Sequence, residues 1–334
     1  MPIVQESSFQ PAWWLRNPHL QTFWPALLRR LPVPTTHRER LSTPDGDFID
    51  LDWRGDDPEA PTAMLLHGLS GSSRSSYIRG MQAALARYGW RSVALNFRGC
   101  GGQPNLTARC YHSGDTVDLD HLYRHLRRRY PRSPLAAVGY SLGGNVLLKW
   151  LGERGAELDL FAAAAVSVPL CLNHCADRLD RGFSRLYRNR LLRELKDYIH
   201  GKRDHLRHIG KTGEWEKLDR LGDLSGIRSF WEYDGRVVAR LYGFRDAEDY
   251  YRQSSSRAFL KSIRIPTLVI QARDDPFMTP EVLPKAEELS PSVDMEITSG
   301  GGHVGFIAGH CPSLPSYWLE QRIPEFLESR RPAH

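Results

Sequence analysis

The sequence Gly139-Tyr140-Ser141-Leu142-Gly143 stands directly after an apolar run at 136–138 and directly before a helical pattern at 144–151. It is a G-x-S-x-G motif at a strand-to-helix junction, where a sharp turn strains the serine backbone and flanking glycines avoid clashes. The turn exposes the hydroxyl at a helix N-terminus, whose dipole and free N–H groups stabilise developing negative charge. We predict that Ser141 is a nucleophile; the alternative is a glycine-rich turn with an idle serine.

Apolar runs on both sides of this motif alternate with helical patterns. Runs that are apolar at successive positions indicate a mainly parallel sheet with helices on both faces. The runs are 63–66, 92–96, 135–138, 161–168, 267–271 and 293–298, and the helical patterns include 77–88 and 116–130. The predicted fold class is therefore α/β, with a mainly parallel central sheet flanked by helices.

The sheet is predicted to begin with antiparallel strands. Residues 39–53 alternate polar and apolar around Asp45-Gly46. Because Asp-Gly favours the positive φ values of a type I′ turn, we predict a hairpin with that turn.

The patterns divide the chain into an extension, a core and an insertion. Residues 1–38 are predicted to form an N-terminal extension, 39–168 and 263–334 the α/β core, and 169–262 a helical cap. The cap is rich in aromatic residues: Tyr187, Tyr198, Trp215, Trp231, Tyr233, Tyr242, Phe244, Tyr250 and Tyr251. We predict that this segment is an inserted lid; the alternative is a surface-packed helical excursion without substrate contact.

A serine hydroxyl is a weak nucleophile and needs a base that a carboxylate orients. His303 lies in a glycine-rich loop, residues 299–305, after the last predicted strand. Asp274 and Asp275 follow the predicted strand 267–271, so either could reach inward from its end. The order Ser, Asp, His along the chain is that of α/β-hydrolases. We favour Asp275 as the acid because a proline follows it, and Asp274 stays open as the alternative.

An oxyanion needs two backbone donors. We predict the N–H group of Leu142, directly after the nucleophile, and that of Leu69, in the loop after the strand 63–66. The candidates for contact with the substrate are His67, Gly68, Tyr140 and His112. For His67, a structural role in holding the loop is the stronger alternative.

The charge pattern limits the partners of the 334-residue chain. Its net charge is +6 at pH 7, but the arginines are scattered in short groups such as 127–129 on a predicted helix. We interpret them as a solvated face and expect no nucleic-acid partner. A basic exterior also favours loose contact with anionic lipid surfaces. The longest apolar stretch, 160–172, is too short to span a membrane, and no export signal is recognised, so we predict a cytoplasmic protein.

No metal site and no cofactor are predicted. The cysteines are Cys100, Cys110, Cys171, Cys175 and Cys311. Without a CxxC pair they indicate neither a disulfide framework nor a zinc site. His200, His205 and His208 lie among basic residues and fit a solvated helix better than a metal site. Residues 300–305 formally match G-x-G-x-x-G, but they lie too near the C-terminus for the βαβ unit of a dinucleotide site.

Taken together, these motifs resemble the YheT-like branch of the α/β-hydrolases, bacterial relatives of the eukaryotic membrane-associated α/β-hydrolase-domain lipases. The resemblance spans nearly the whole chain. Its blocks are Asn17-Pro18-His19-Leu20-Gln21-Thr22, His67-Gly68-Leu69, Asn96-Phe97-Arg98-Gly99-Cys100-Gly101-Gly102, Tyr111-His112-Ser113-Gly114, Gly139-Tyr140-Ser141-Leu142-Gly143-Gly144-Asn145, Asp274-Asp275-Pro276-Phe277 and Gly301-Gly302-His303-Val304-Gly305-Phe306.

The resemblance implies an α/β-hydrolase fold, a triad at Ser141, Asp275 and His303, a helical cap between the sixth and seventh strands, and carboxylesterase or acylglycerol lipase activity. The expected substrate is a small-molecule or lipid ester with a short- to medium-length acyl chain. A thioesterase or acyltransferase with the same triad, and a non-catalytic ligand-binding protein, remain alternatives. The eukaryotic relatives carry an N-terminal membrane segment, and because no comparable segment is recognised here, we do not expect membrane residence to transfer.

Overall fold

A nine-stranded, mainly parallel sheet forms the centre of the computed structural model, which describes residues 4–29, 31 and 36–332. The strands are β1 (Val4–Glu6), β2 (His37–Ser42), β3 (Phe48–Arg54), β4 (Thr62–Leu66), β5 (Arg91–Asn96), β6 (Leu135–Tyr140), β7 (Ala162–Val166), β8 (Thr267–Ala272) and β9 (Val293–Thr298). Their order is β1-β9-β8-β7-β6-β4-β5-β3-β2. Within this sheet, and among the described residues, only the pairs β2·β3 and β3·β5 are antiparallel, so the predicted α/β fold class is confirmed.

Helices cover both faces of this sheet. The core helices are α1 (Pro18–Leu27), α2 (Ser76–Arg87), α3 (Val117–Arg129), α4 (Leu142–Arg154) and α11 (Leu319–Arg330). Leucines of α3 and α4 pack on one face, while α2 and α11 pack on the other, each against a separate cluster of buried side chains. A small hairpin of β10 (Ile307–Ala308) and β11 (Ser316–Tyr317) precedes α11. No helix in the described ranges is both long and apolar enough to cross a membrane.

A helical segment is inserted between β7 and β8, which correspond to the sixth and seventh predicted strands. It consists of α5 (Leu172–Leu179), α6 (Ser184–His208), α7 (Thr212–Asp219), α8 (Phe230–Tyr233), a π-helical turn (Asp234–Val238), α9 (Ala239–Tyr242), α10 (Ala247–Ser254) and a 3₁₀ segment (Ser256–Ser262). Its buried leucines and tyrosines form a cluster of their own. We call residues 169–262 the cap; these boundaries remain a prediction.

The turn between β2 and β3 differs from the prediction. Thr43 N–H donates to the Asp47 carbonyl and Gly46 N–H to the Thr43 carbonyl, so three residues form the loop. A type I′ turn needs positive φ at both Asp45 and Gly46, and of these two only Gly46 has it, at 76°. The prediction of a type I′ turn was therefore wrong. Pro44, whose ring fixes a negative φ, begins a type I turn one residue earlier, and Gly46 completes it.

The structure also differs from the prediction in one additional strand and in one strand boundary. β1 was not predicted, because three exposed residues carry no apolar pattern; it pairs in parallel with β9 at the sheet edge. β7 ends at Val166 rather than at residue 168. Ser167 has a φ of 50°, which takes the chain out of the extended conformation.

A buried guanidinium joins the hairpin to the core. Arg98, directly after β5 and 1% exposed, donates to both oxygens of Asp118 on α3 at 2.8 Å and to Asp45 at 2.8 Å. Its Nη1 lies 3.3 Å from Asp47. Burial by itself would lower the pKa of Arg98. The carboxylates of Asp118 and, to a smaller extent, of Asp45 more than offset this effect, so the pKa is raised. The charge is therefore compensated, as a buried charge requires.

Candidate active site

Ser141 lies in the turn between β6 and α4, and its backbone is strained. Its φ is 52° and its ψ −120°, a conformation that L-residues rarely adopt. Ser141 N–H donates to the Val166 carbonyl at 2.8 Å, and Asn145 N–H donates to the Ser141 carbonyl at 3.0 Å. The serine side chain therefore projects from the end of β6 at the first turn of α4.

The glycines of the motif are required by close backbone contacts. A Cβ on Gly143 would lie 2.5 Å from the His67 carbonyl oxygen and 2.7 Å from that of Leu66. A Cβ on Gly139 would lie 2.6 Å from the Gly143 carbonyl oxygen. Because backbone atoms form these contacts, neither position has room for a side chain, and the end of β4 comes directly against α4.

The imidazole of His303 lies between Ser141 and Asp275. Its Nε2 is 2.8 Å from Ser141 Oγ, and its Nδ1 is 2.8 Å from Asp275 Oδ2. Because a carboxylate can only accept, this contact fixes the proton on Nδ1 and leaves Nε2 to accept from the serine hydroxyl. The ring of Phe277 stacks on the imidazole, with centroids 4.0 Å apart and planes 1° from parallel.

The two adjacent aspartates have different neighbours. Asp275 is buried, and its Oδ1 accepts from Phe277 N–H at 2.8 Å while Oδ2 faces the imidazole. Asp274 instead accepts from Gly302 N–H at 2.9 Å, and burial raises the pKa of its carboxyl. Asp275 thus contacts the imidazole, and Asp274 holds the backbone of the loop that carries it.

Helix α1 also supports the His303 loop, which the sequence patterns did not predict. His303 N–H donates to Thr22 Oγ1 at 2.9 Å. The buried Gln21 accepts from Ile307 N–H at 2.7 Å and donates to the Ile307 carbonyl at 2.9 Å. A Cβ on Gly302 would collide with the Pro18 carbonyl oxygen. The motifs that carry the resemblance include Gln21, Thr22, Gly302 and His303. Nothing in the sequence around them indicated that α1 and this loop, almost 300 positions apart, are in contact.

The loop after β4 lies beside Ser141 and has one backbone N–H group without an acceptor among the described residues. Gly68 N–H donates to the Tyr77 hydroxyl at 2.9 Å, and Ser70 N–H donates to that of Tyr111 at 3.0 Å. Leu69 N–H, between them, has no acceptor within the described part of the chain. A Cβ on Gly68 would lie 3.1 Å from the Ser141 Cβ, so the loop passes directly by the nucleophile.

The second predicted donor, Leu142, is the first residue of α4. The first N–H groups of a helix have no intrahelical acceptor. Leu142 and Leu69 both line the cavity together with Ser141. The two predicted oxyanion donors therefore lie on the cavity that holds the nucleophile.

Of the four predicted substrate contacts, Gly68 lines the cavity, whereas His67, Tyr140 and His112 are not part of its lining. His67 is fully buried; its Nε2 accepts from Phe97 N–H at 3.1 Å, its Nδ1 lies 2.7 Å from the Gly68 carbonyl oxygen, and burial lowers its pKa to about 4. Tyr140 is 1% exposed and packs in the core on the same face of β6 as Ala136 and Val138, and it does not line the cavity.

His112 does not line the cavity either. Its ring packs edge-on against Tyr242 and Tyr250 of the cap, at centroid distances of 4.3 and 5.4 Å. Its Nδ1 accepts from Gly114 N–H at 3.1 Å, and burial lowers its pKa to about 3. His112 is therefore a neutral packing residue between core and cap, while the adjacent Ser113 reaches the cavity.

A cavity of about 570 Å³ opens beside Ser141 and His303. Part of its apolar lining comes from the cap: Leu172, Cys175, Ala176, Leu179, Leu191 and Phe230. Of the nine aromatic residues that the sequence analysis named in the cap, only Tyr251 lines the cavity; the others pack within the cap or against the core. The sequence did not indicate this difference, because periodicity indicates a helix but not which neighbour each face meets.

A carboxyl group that the sequence did not single out lies on the cavity wall. Asp234 is 8% exposed, begins the π-helical turn and accepts from the Tyr251 hydroxyl at 2.6 Å. Burial raises the pKa of Asp234 to about 7, although the tyrosine hydrogen bond opposes the shift. Near neutral pH this carboxyl therefore exists in both protonation states.

Side chains that bind metals do not cluster in this site. No group of three or more His, Cys, Asp or Glu residues suited to a metal ion occurs among residues 4–29, 31 and 36–332. His200, His205 and His208 lie on α6, away from the cavity lining.

Comparisons with known proteins show the family of the chain. The sequence profile of the alpha/beta hydrolase fold matches residues 61–309. The chain is 43% identical to YheT of Escherichia coli, a protein provisionally named an esterase, over 96% of the chain and 93% of YheT. It is 32% identical to phospholipase ABHD3 of Mus musculus over 98% of the chain and 80% of that protein. Monoacylglycerol lipase ABHD2 of Mus musculus is 27% identical, with 97% and 80% covered.

Solved structures show the same architecture at lower sequence identity. The Pyrococcus furiosus esterase Pf2001 is similar with a TM-score of 0.56 and 18% identity, covering 99% of both chains. The likeness at this identity concerns the fold: the arrangement of the sheet and its helices.

Because Gly143 lies directly against the end of β4, we expect one added methyl group to lower the stability of the protein strongly. Gly143→Ala should lower the free energy of unfolding by about 1–3 kcal/mol, because backbone carbonyls cannot move aside. Gly201→Ala, on the exposed side of α6 where a Cβ meets nothing within 4 Å, should raise it by about 0.5–1 kcal/mol. Urea unfolding of both variants tests this. A stability of Gly143→Ala equal to wild type would contradict the close contact.

The raised pKa of Asp234 predicts a pH-dependent effect on stability. Between pH 4 and about 7 the folded carboxyl keeps a proton that the unfolded one releases, so wild type loses stability as pH rises through this window. Asp234→Asn removes this loss and should be more stable than wild type by a few kcal/mol at pH 8, but not at pH 4. Urea unfolding at both pH values measures the difference, with the exposed Asp204→Asn as control. An equal difference at both pH values would show that the carboxyl titrates normally.

Proposed function

The chain belongs to the α/β-hydrolase fold family, in its YheT-like branch, and is a carboxylic ester hydrolase; from this premise we propose that Ser141, His303 and Asp275 act as its catalytic triad on esters with a short- to medium-length acyl chain. The comparisons confirm the family that the motifs indicated. The triad, the substrate and the boundaries of the cap are proposals. The single observation that supports the triad best is the continuous hydrogen-bond path from Ser141 Oγ to Asp275, with both steps at 2.8 Å.

In the first half of the proposed reaction, the enzyme is acylated. His303 Nε2 takes the proton of Ser141, and Oγ attacks the ester carbonyl carbon. The resulting oxyanion accepts from the N–H groups of Leu69 and Leu142. The imidazolium then gives its proton to the alcohol oxygen, the C–O bond breaks, and an acyl-serine remains.

In the second half, water releases the acid. Neutral His303 takes a proton from water, which attacks the acyl-serine, and a second oxyanion forms at the same donors. The proton returns to Ser141 Oγ as the acyl bond breaks. Asp275 keeps the imidazole in the required tautomer and stabilises its charged form in both halves.

The apolar wall of the cap supports a substrate with an acyl chain. Each CH₂ group buried against it contributes about 0.8 kcal/mol. A volume of about 570 Å³ lies within the range of small-molecule sites, and part of it is polar, so the chain is limited to short or medium length. The activities named for ABHD3 and ABHD2, a phospholipase and a monoacylglycerol lipase, support acylglycerol-type esters as a substrate class.

Two adjacent carboxyls provide a matched test of the triad. We expect Ser141→Ala to lower kcat for p-nitrophenyl butyrate by at least about a thousandfold, and Asp275→Asn by a similar factor through loss of the correct tautomer. Asp274→Asn retains an acceptor for Gly302 N–H and should keep activity within about threefold. A fluorophosphonate probe should label wild type at Ser141 and leave Ser141→Ala unlabelled. Unlabelled, inactive wild type would favour a ligand-binding protein, and preference for thioesters would favour a thioesterase.

The proposed chain length can be measured with a series of p-nitrophenyl esters from acetate to palmitate. We expect kcat/KM to rise with each added CH₂ by up to about fourfold while the chain contacts the cap, and to fall once the cavity is filled. Leu179→Ala should weaken the dependence, whereas Leu186→Ala, exposed on α6, should not. Turnover of acetate alone would contradict an acyl site in the cap.

A further inference from the structure

The cap wall of the cavity beside Ser141 carries one polar pair. Among the described cap residues that line the cavity, only Asp234 and Tyr251 have an oxygen atom in the side chain; the others are apolar residues and a cysteine. A polar group in apolar surroundings is costly unless a hydrogen-bond partner satisfies it. The partners of Asp234 therefore decide what this part of the wall can bind.

One oxygen of the Asp234 carboxyl is occupied by a partner within the cap. The Tyr251 hydroxyl donates to Oδ2 at 2.6 Å. The tyrosine is buried, and its ring packs edge-on against Trp231 with centroids 4.8 Å apart. Because this packing fixes the hydroxyl, the hydrogen bond also fixes the orientation of the carboxyl.

The other oxygen, Oδ1, has no hydrogen-bond or ion-pair partner within the described part of the chain. It is not a fully enclosed atom, and its residue lines the cavity. Phe230 lies four positions earlier, on the same face of the helix, and lines the cavity as well. Asp234 is only 8% exposed and thus presents one unfilled acceptor to the space that a ligand occupies.

The backbone at Asp234 departs from a regular α-helix. Helix α8, the π-helical turn and α9 follow one another without a break between residues 230 and 242. A π-helical turn inside an α-helix is rare and is found frequently at functional sites. Here the turn begins at the residue whose carboxyl faces the cavity.

Among the described residues, no cation compensates a charge on Asp234. Burial raises its pKa to about 7, and the hydrogen bond from Tyr251 is the one described influence that lowers it. The tyrosines that interact electrostatically with it, Tyr233, Tyr250 and Tyr251, have pKa values raised by burial and stay neutral. At pH 8 most molecules therefore carry a carboxylate that lacks a donor on one side.

We propose that Asp234 binds a hydroxyl group on the acyl part of the substrate, so that the enzyme prefers hydroxyacyl esters to unsubstituted esters of the same chain length. The inference rests on the proposed function, which places the acyl chain against the cap. The hydroxyl donates its hydrogen to Oδ1, and the remaining carbons of the chain contact the apolar side chains of the cap. Hydrolysis at Ser141 then releases a hydroxy acid and the alcohol.

A neutral hydroxyl fits this wall better than an ammonium group. Both donate to a carboxylate, but an ammonium group loses far more hydration when it enters apolar surroundings. One carboxylate oxygen is also already occupied by Tyr251, which leaves a single acceptor for the ligand. One hydroxyl satisfies that acceptor without placing a second charge against the apolar wall.

Methyl esters of octanoic acid test the preference at pH 8. One ester is unsubstituted, and the others carry a hydroxyl on the third, sixth, seventh or eighth carbon, positions that do not close to a five- or six-membered lactone. The rate of acid release gives kcat/KM for each ester. Wild type should favour at least one hydroxy ester over methyl octanoate by about tenfold or more, because hydrogen bonds to a charged acceptor are stronger than neutral ones.

Removal of the carboxyl gives the decisive variant. Asp234→Leu replaces it with an apolar side chain, so kcat/KM for the favoured hydroxy ester should fall by about tenfold or more relative to methyl octanoate. The ratio of the two esters is taken within each variant, so a smaller fraction of folded protein cancels.

Two further variants separate binding from structure. Asp234→Asn keeps an acceptor for the Tyr251 hydroxyl but is neutral, so it should retain a preference that is about threefold or more weaker than in wild type. The matched control is Asp204→Leu, because Asp204 is exposed on α6 and does not line the cavity. This variant should keep the wild-type ratio.

The outcomes separate this proposal from the one on which it rests. If wild type favours none of the hydroxy esters, or if Asp234→Leu keeps the preference, the hydroxyl site is refuted while the ester hydrolase stands. An equal loss in Asp204→Leu refutes it as well, and so does a larger gain from an ammonium group at the favoured carbon. If Ser141→Ala still releases the acid, the proposed triad is refuted instead.

Discussion

The site depends on a serine held at positive φ between a strand and a helix. Such backbone conformations cost on the order of 1–3 kcal/mol and persist only where their surroundings hold them. At Ser141 the surroundings are hydrogen bonds to Val166 and Asn145 and the glycine contacts that bring β4 against α4. The Asn145 side chain extends this support, because its amide donates to the carbonyls of Ser113 and Ser254 at 2.7 and 2.8 Å and so connects the turn to the cap.

The imidazole reaches the serine because distant parts of the chain hold its loop. The loop adopts positive φ at several residues, including Val304 at 61° and Phe306 at 45°. Thr22 of α1, Asp274 after β8 and Ser167 after β7 each accept from a backbone N–H of this loop, at 2.9 to 3.0 Å. The N-terminal segment is thus a structural part of the site. This role explains why its residues form one of the motifs that resemble the YheT-like branch.

Different side chains of the cap stabilise it and line the cavity. Most of its aromatic side chains are buried within it or against the core, where their large apolar area stabilises the insertion. Smaller aliphatic side chains of α5 and α6 face the cavity instead, where they leave space for the acyl chain that we propose.

The sequence alone determined the α/β class, the strand–turn–helix around Ser141 and the family, because strand and helix periodicity and a glycine-flanked turn are local properties. It left the choice between Asp274 and Asp275 open, and it did not indicate that His67, Tyr140 and His112 lie outside the cavity lining. Only the tertiary structure shows which aspartate contacts the imidazole and which side chains face the cavity, since both depend on packing between segments far apart in the chain. The same reason hid the role of α1: Thr22 meets His303 only after the sheet has brought their segments together.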